Sequence, residues 1–243
     1  MTTGRNGRGG DEWQRAWPAG WTVEHVVDTG STNADLLVGA ASRPDRSVLV
    51  ADHQTAGRGR LDRRWDAPPG ANLLASLLFQ SVPSNPGELV RRVSLAAIDA
   101  GRSLGVAGDL RLKWPNDILL DGAKVAGVLA QRDATGAVVV GIGFNVGWSP
   151  DGTARLGERI DRTDLLAALL TSYDRLQTDT ESLRLRYREE LATLGQRVRA
   201  EMSAGDVVGM ATDVTITGQL VVRADDGRMH QIDVADVTHL RPA

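Results

Sequence analysis

The chain has 243 residues, 42% of them hydrophobic and 24% charged, with a net charge of −3. That is enough for one large domain, or one domain with a small appendage, and it argues against a dedicated DNA or membrane binder. The absence of cysteine removes disulfides, thiolate nucleophiles and Cys-based zinc sites, and the four histidines, His25, His53, His230 and His239, form no HExxH-like pair.

Residues 1–10 are Gly/Arg/Asn-rich with no apolar segment, so no secretory signal is read there. The longest apolar run, residues 73–79, is too short to span a bilayer, and a soluble, cytoplasmic protein is expected. Residues 1–12 read as a disordered tail, and order is expected to start at Trp13, Trp17 and Trp21. Residues 22–27 alternate as a strand. A turn cluster, Asp28-Thr29-Gly30-Ser31-Thr32-Asn33, then feeds a helix, with Thr32 and Asp35 spaced as a capping box. Strands are predicted over residues 47–52 and 72–79, separated by a long Gly/Arg/Pro-dense loop over 53–70, a length that usually signals function. Residues 86–104 carry a helical apolar stripe of Leu89, Val93, Ala97, Ala100 and Leu104. Short strands follow over 110–114, 117–120, 124–131 and 137–142, with hairpin signals at Asp121-Gly122 and Thr135-Gly136. Helical periods return at Leu165–Tyr173 and at Leu183–Leu194. From about Gly195 the texture becomes Val-rich strands between Gly/Asp turns, predicting a small β-barrel of roughly 50 residues. The fold class is therefore α+β: a mixed domain over 13–194 and a small all-β domain over 195–243.

No P-loop or Rossmann fingerprint is present, so any nucleotide site must use another design. Gly57-Arg58-Gly59-Arg60, with Arg63, Arg64 and Trp65, offers close backbone approach, guanidinium forks for phosphate or carboxylate, and an indole that can stack on a base. The plainer reading is a solvated basic loop. In Lys113-Trp114-Pro115-Asn116-Asp117 the proline breaks a strand and leaves polar groups at its end, where Asp117 suits Mg²⁺; an Asx turn explains the same residues. Lys124 leading Val125-Ala126-Gly127-Val128-Leu129 is either an edge charge or an ammonium projecting into a pocket. Gly141-Ile142-Gly143-Phe144-Asn145 reads as backbone shaped around a ligand or as a β-bulge. The hydroxyls of 29–33 cap a helix or help bind an anion.

Taken in series, Ser31-Thr32-Asn33, Gln54-Thr55-Ala56-Gly57-Arg58-Gly59-Arg60 with Trp65, Lys113–Asp117, Lys124–Leu129 and Gly141–Asn145 resemble the biotin–protein ligase family, over residues 28–146. The resemblance implies a mixed-sheet catalytic domain of the biotin/lipoate ligase type and an SH3-like C-terminal barrel. It implies ATP-dependent activation of biotin to biotinyl-5′-AMP, with Mg²⁺, and transfer to a lysine of a biotin carboxyl carrier domain of an acyl-CoA carboxylase. By resemblance, Ser31, Thr32, Asn33, Gln54, Gly57, Gly59, Gly127 and Gly143 bind biotin. Arg58, Arg60 and Lys124 contact biotin and the reacting phosphate and are catalytic. Trp65, Asn116, Asp117 and Asn145 form the ATP side, with Asp117 the candidate metal ligand. Leu61-Asp62 departs from the family's usual loop, which continues with a small or basic residue and glycine. Some relatives carry an N-terminal helix-turn-helix domain and repress transcription. With about 30 residues before Ser31, the expectation is a ligase without DNA binding, a monomer or weak homodimer.

Three rival readings remain open at this level. A lipoate or octanoate transferase shares the architecture, but the paired GRGR and KWPND signatures favour biotin. A biotin sensor need not keep Arg58, Arg60 and Lys124. An SH3-like module that binds proline-rich peptides is a poor fit, because residues 195–243 contain no Trp, Tyr or Phe.

Overall fold

The computed structural model describes residues 11–176, 179–202, 205–233 and 236–239. The tail expected over 1–12 thus lies outside the described residues up to residue 10, and Asp11–Trp13 forms a 3-10 turn. Glu12 pairs with Arg162 at 2.7 Å, and Trp13 is buried, stacked on His25 at 5.1 Å between ring centroids.

Seven strands form the main sheet: β1 (Thr22–Thr29), β2 (Ser47–Gln54), β3 (Leu73–Phe79), β4 (Leu110–Lys113), β5 (Asp117–Leu120), β6 (Ala123–Arg132) and β7 (Val138–Phe144). Their order is β1-β2-β3-β7-β6-β5-β4, with β1 and β2 parallel and the other neighbours antiparallel. All seven predicted strand and hairpin segments are present, with ends shifted by a few residues. The β5–β6 turn places Asp121 and Gly122 at φ of 50° and 83°, as a tight hairpin requires.

Alternation along the strands divides the sheet's two faces. Val48, Val50, Ala75, Leu77, Val128, Val140 and Ile142 enter the large core, covered by α2 (Gly87–Ser103), α3 (Arg162–Arg175) and α4 (Thr180–Glu190). On α2 the predicted stripe is buried at Leu89, Val93, Ala97 and Ala100. On the opposite face, α1 (Thr32–Val38) makes a small second core, with Leu36 against Leu49, Leu78 and Val139. α1 is only 7 residues long, so it leaves the β6–β7 end of this face to be covered by the loop after β2.

The C-terminal strands β8 (Arg197–Glu201), β9 (Val207–Val214), β10 (Leu220–Ala224), β11 (Met229–Ile232) and β12 (Asp236–His239) form one antiparallel five-stranded sheet in the order β11-β10-β9-β8-β12. This is the region the sequence reads as a small barrel. Its buried residues Val198, Ala200, Ala211, Val214, Leu220 and Val222 are continuous with the large core.

Candidate functional site

The residues between the core-facing positions of β3, β6 and β7 point to the face that α1 leaves open. They include Ser76, Gly127, Leu129, Gly141 and Gly143, and they line a cavity of about 270 Å³, a size suited to a small molecule. The loop after β2 forms its roof. That loop carries local structure: Trp65 N donates to Gly57 O at 2.9 Å, Gly59 N to Arg63 O at 2.6 Å, and Arg58 and Arg64 make an antiparallel bridge. The tip, Arg60–Asp62, is a 3-10 turn in which Leu61, 65% exposed, is held at φ 55°, a left-handed conformation costly for a bulky side chain.

One part of the cavity is a neutral hydrogen-bonded chain. The Thr32 amide donates to Gln54 Oε1 at 2.8 Å, and the Thr32 hydroxyl lies 3.1 Å from Gln54 Oε1 and 2.7 Å from Ser76 Oγ. Ser76 Oγ donates to Asn33 Oδ1 at 2.6 Å; Asn33 Nδ2 donates to Leu129 O at 3.2 Å and to Gln131 Oε1 at 2.9 Å. The Leu129 carbonyl can only accept, so the Asn33 nitrogen must face it and its oxygen must face Ser76. The proton of Ser76 is then committed to Asn33, and the chain has a fixed polarity. With its oxygen on the Thr32 amide, Gln54 keeps its NH₂ group as a donor in the cavity wall.

Thr32 thus has a different task from the one its spacing suggests. No side chain caps α1, and Asp35 accepts a hydrogen bond from the Thr29 hydroxyl. The expected capping box is absent because Gln54 and Ser76 compete successfully for the Thr32 side chain.

The charged part of the cavity centres on Lys124. Strict alternation from Ala126 and Val128 would send Lys124 into the large core. A bulge between β5 and β6, where Ile118 faces Ala126 but Leu119 faces Lys124, makes Val125 an extra residue and turns Lys124 onto the cavity face. Its ammonium pairs with Asp117 Oδ1 at 2.7 Å and lies 5.4 Å from the centre of the Trp65 ring. Arg60, half-buried, donates to Asn116 Oδ1 at 3.3 Å, and Asn116 Nδ2 donates to Val128 O at 2.7 Å. Arg58 is exposed at the rim.

Trp65 lies directly on the glycine floor. A Cβ added to Gly143 would stand 2.3 Å from its Cε2, and one added to Gly127 would stand 3.2 Å from its Cζ3. Its indole nitrogen is buried without a partner. The indole therefore touches both glycines that the resemblance assigns to biotin, so the expected biotin and ATP sides adjoin at this ring. Asn145 is 3% exposed, and its amide is already engaged: Nδ2 donates to Ala154 O at 3.0 Å, and Oδ1 accepts from Asn72 at 3.3 Å.

Every residue assigned to the site from the sequence lines this cavity except Gly57, which lies in the roof hairpin beside Trp65. Ser76 and Gln131 also belong to it and received no role from the sequence; Gly141, in the segment read as backbone shaped around a ligand or as a β-bulge, lines it too. Ser76 does leave a trace there: it is the lone polar residue in the apolar run of β3, and a buried hydroxyl needs a partner.

The sequence model of the Biotin/lipoate A/B protein ligase family matches residues 24–147, and that of the Biotin protein ligase C terminal domain matches residues 193–240. The chain is 38% identical to a biotin–(acetyl-CoA-carboxylase) ligase of Mycobacterium tuberculosis, over 92% of this chain and 91% of that one. The chain belongs to the biotin protein ligase family. A second ligase of the same description, from Paracoccus denitrificans, is 32% identical over 84% of this chain and 95% of its own length. The fold agrees: a point mutant of the biotin protein ligase from Aquifex aeolicus, in complex with biotin, superposes with a TM-score of 0.76 at 22% identity, covering 90% of this chain and 98% of that one. The Aquifex ligase in complex with biotin and ATP gives 0.72 at 23% identity, covering 90% and 99%. The mixed seven-stranded sheet with an appended antiparallel sheet is thus the architecture of this family, as the resemblance implied. No helix among the described residues is long and apolar enough to cross a membrane.

Proposed function

We propose that the chain joins biotin to a specific lysine of a biotin carboxyl carrier domain, in two steps on this one cavity. In the first, a biotin carboxylate oxygen bonds to the α-phosphorus of ATP and the bond to pyrophosphate breaks, giving biotinyl-5′-AMP. In the second, the acceptor amine attacks the acyl carbon, the bond to AMP breaks, and the amine sheds a proton. The observation that carries this reading is the bulge that brings Lys124 beside Asp117, in the cavity whose neutral part is the Gln54–Thr32–Ser76–Asn33 chain. That pairing of a polar neutral recess with a cationic wall suits an uncharged ring bearing a carboxylate that must approach a polyanion.

In this reading Lys124, Arg60 and Arg58 offset the charge that builds as carboxylate and phosphate meet, and the pre-set wall supplies orientation. The roof hairpin shields the mixed anhydride from water. Mg²⁺ fits as an ion carried with the triphosphate: no cluster of three His, Cys, Asp or Glu exists among the described residues, and Mg²⁺ commonly takes one or two carboxylates plus phosphates. Asp117 is the residue to hold it, and the ion would neutralise phosphate charge there. Residues 13–194 are read as the catalytic unit and 195–243 as its C-terminal partner. The acceptor is read as a carboxylase carrier domain, in keeping with the names of the two relatives, and the setting as the cytoplasm.

Exchange of labelled pyrophosphate into ATP isolates the first step. It is expected to depend on biotin and to fall about 10²–10³-fold in Lys124→Ala, with biotin binding retained by calorimetry. Exchange unaffected by the substitution would remove Lys124 from the chemistry.

A further inference from the structure

Arg91 on α2 is 3% exposed, an unusual place for a guanidinium. Its Nη1 donates to the Ile216 carbonyl at 3.0 Å, while Nε and Nη2 are buried without hydrogen-bond partners. Burial pulls its pKa below the ordinary guanidinium value. An arrangement this unfavourable calls for a task.

The task is visible in what surrounds Ile216. The β9–β10 turn offers three successive carbonyls, and each accepts from a different side chain of the larger sheet's half. Arg91 takes Ile216 O at 3.0 Å, Asn85 Nδ2 takes Thr217 O at 2.7 Å, and Trp114 Nε1 takes Gly218 O at 2.9 Å. The turn sits close on the guanidinium. A Cβ at Gly218, whose φ is +92°, would lie 3.2 Å from Arg91 Nε and 3.3 Å from its Cδ and Cζ. Trp114 is the second residue of Lys113-Trp114-Pro115-Asn116-Asp117. Its own amide donates to the buried Thr193 hydroxyl at 3.0 Å, and the next carbonyl, Pro115 O, accepts from Tyr187 at 3.3 Å. All five residues of the segment line the cavity, and Trp114 and Pro115 are also held by these bonds to Gly218, Thr193 and Tyr187, so the anchors fix the stretch that carries Asn116 and Asp117.

We propose that Arg91 is a positioning residue for the nucleotide wall: it fixes the β9–β10 turn of the C-terminal sheet, whose Gly218 carbonyl holds Trp114 and so sets Asn116 and Asp117. The C-terminal sheet then acts on the first step through this turn. The proposal rests on reading that wall as the ATP side.

Arg91→Met removes the bond and keeps the buried stem. In the full-length chain it is expected to raise KM for ATP about tenfold in biotin-dependent pyrophosphate exchange, with the calorimetric Kd for biotin unchanged. Arg91→Lys restores KM, because the working bond needs one donor. Trp114→Phe cuts the same link from the other side, so it gives the same KM shift, and the double variant is no worse than either single one. Hydrogen exchange without ligands reads the wall independently of activity: the amides of Trp114, Asn116 and Asp117 exchange faster in Arg91→Met than in the unaltered chain. An unchanged KM for ATP together with unchanged exchange overturns the proposal. So does an equal fall in affinity for biotin and ATP, which marks a general structural role. Should Arg91→Met fail to fold, Trp114→Phe carries the same comparison. If the unaltered chain shows no pyrophosphate exchange while the amides of Trp114, Asn116 and Asp117 still respond to Arg91→Met, the clamp stands and the reading of function fails.

Discussion

Gly141 and Gly143 alternate with core residues along β7 and leave two gaps in the cavity floor, one filled by Asn33 and the other by Trp65. A Cβ at Gly141 would stand 2.3 Å from Asn33 Oδ1, closer than any real contact. Because Asn33 is fixed by Leu129 O, Gln131 and Ser76, it has nowhere to yield without breaking the polar chain. Gly141→Ala is therefore expected to weaken biotin binding by at least about tenfold, reading the loss of one buried hydrogen bond as about 1–3 kcal/mol, with a much smaller effect on KM for ATP. Calorimetry with biotin alone and steady-state KM values check both halves; equal losses for the two substrates would contradict the placement of this recess. At this scale the sequence names many of the residues that line the cavity, since arginines, Lys124 and Asn116-Asp117 carry recognisable chemistry. It does not name Ser76 or Gln131, because their roles depend on pairings across 43 and 98 residues of chain.

Elements follow the sequence closely where period and turn chemistry agree, as on α2 and the β5–β6 hairpin, and depart where a tertiary partner wins. The Thr32/Asp35 cap loses to Gln54 and Ser76, and Lys124 escapes strict alternation through a bulge that no period of two can reveal. A tertiary tie also fixes the end of α4. Arg102 Nη1 and Nη2 grip Glu190 at 2.6 and 2.8 Å, and Nη2 also donates to Leu110 O at 2.9 Å, joining α2, α4 and the edge strand β4. Burial alone would push the Glu190 carboxyl up, but the Arg102 fork outweighs it and holds the pKa below the usual carboxylate range. A carboxyl depressed in the folded state stabilises the fold above its unfolded pKa, and that stability is lost as pH falls through the folded value. Glu190→Gln is expected to cost on the order of 2 kcal/mol at neutral pH, and less as the pH is lowered below the ordinary carboxylate range. Urea unfolding of both chains at neutral and acid pH tests this; a difference that is constant with pH would show that the charge is not what matters.

At the scale of the whole molecule, one sheet separates two environments. Its covered face holds a continuous apolar core that runs into the C-terminal sheet, and its open face holds the polar cavity under the 57–65 hairpin. The sequence shows the change of texture near Gly195, but not that the two sheets share a core, since that sharing joins residues as far apart in the chain as Val48 and Val198 in one apolar cluster. On the proposed function, binding, activation and transfer share this one cavity, so both half-reactions should need the same wall. The most direct test is transfer of labelled biotin to a purified biotin carboxyl carrier domain with Mg-ATP, run with the unaltered chain, with Lys124→Ala, without ATP, and with chemically made biotinyl-5′-AMP in place of biotin and ATP. Label is expected on the acceptor lysine only when ATP or the adenylate is supplied, with Lys124→Ala nearly inactive from biotin and ATP. Tight binding of biotin with no label on the acceptor, even from the adenylate, would contradict it and make the cavity a sensor of biotin.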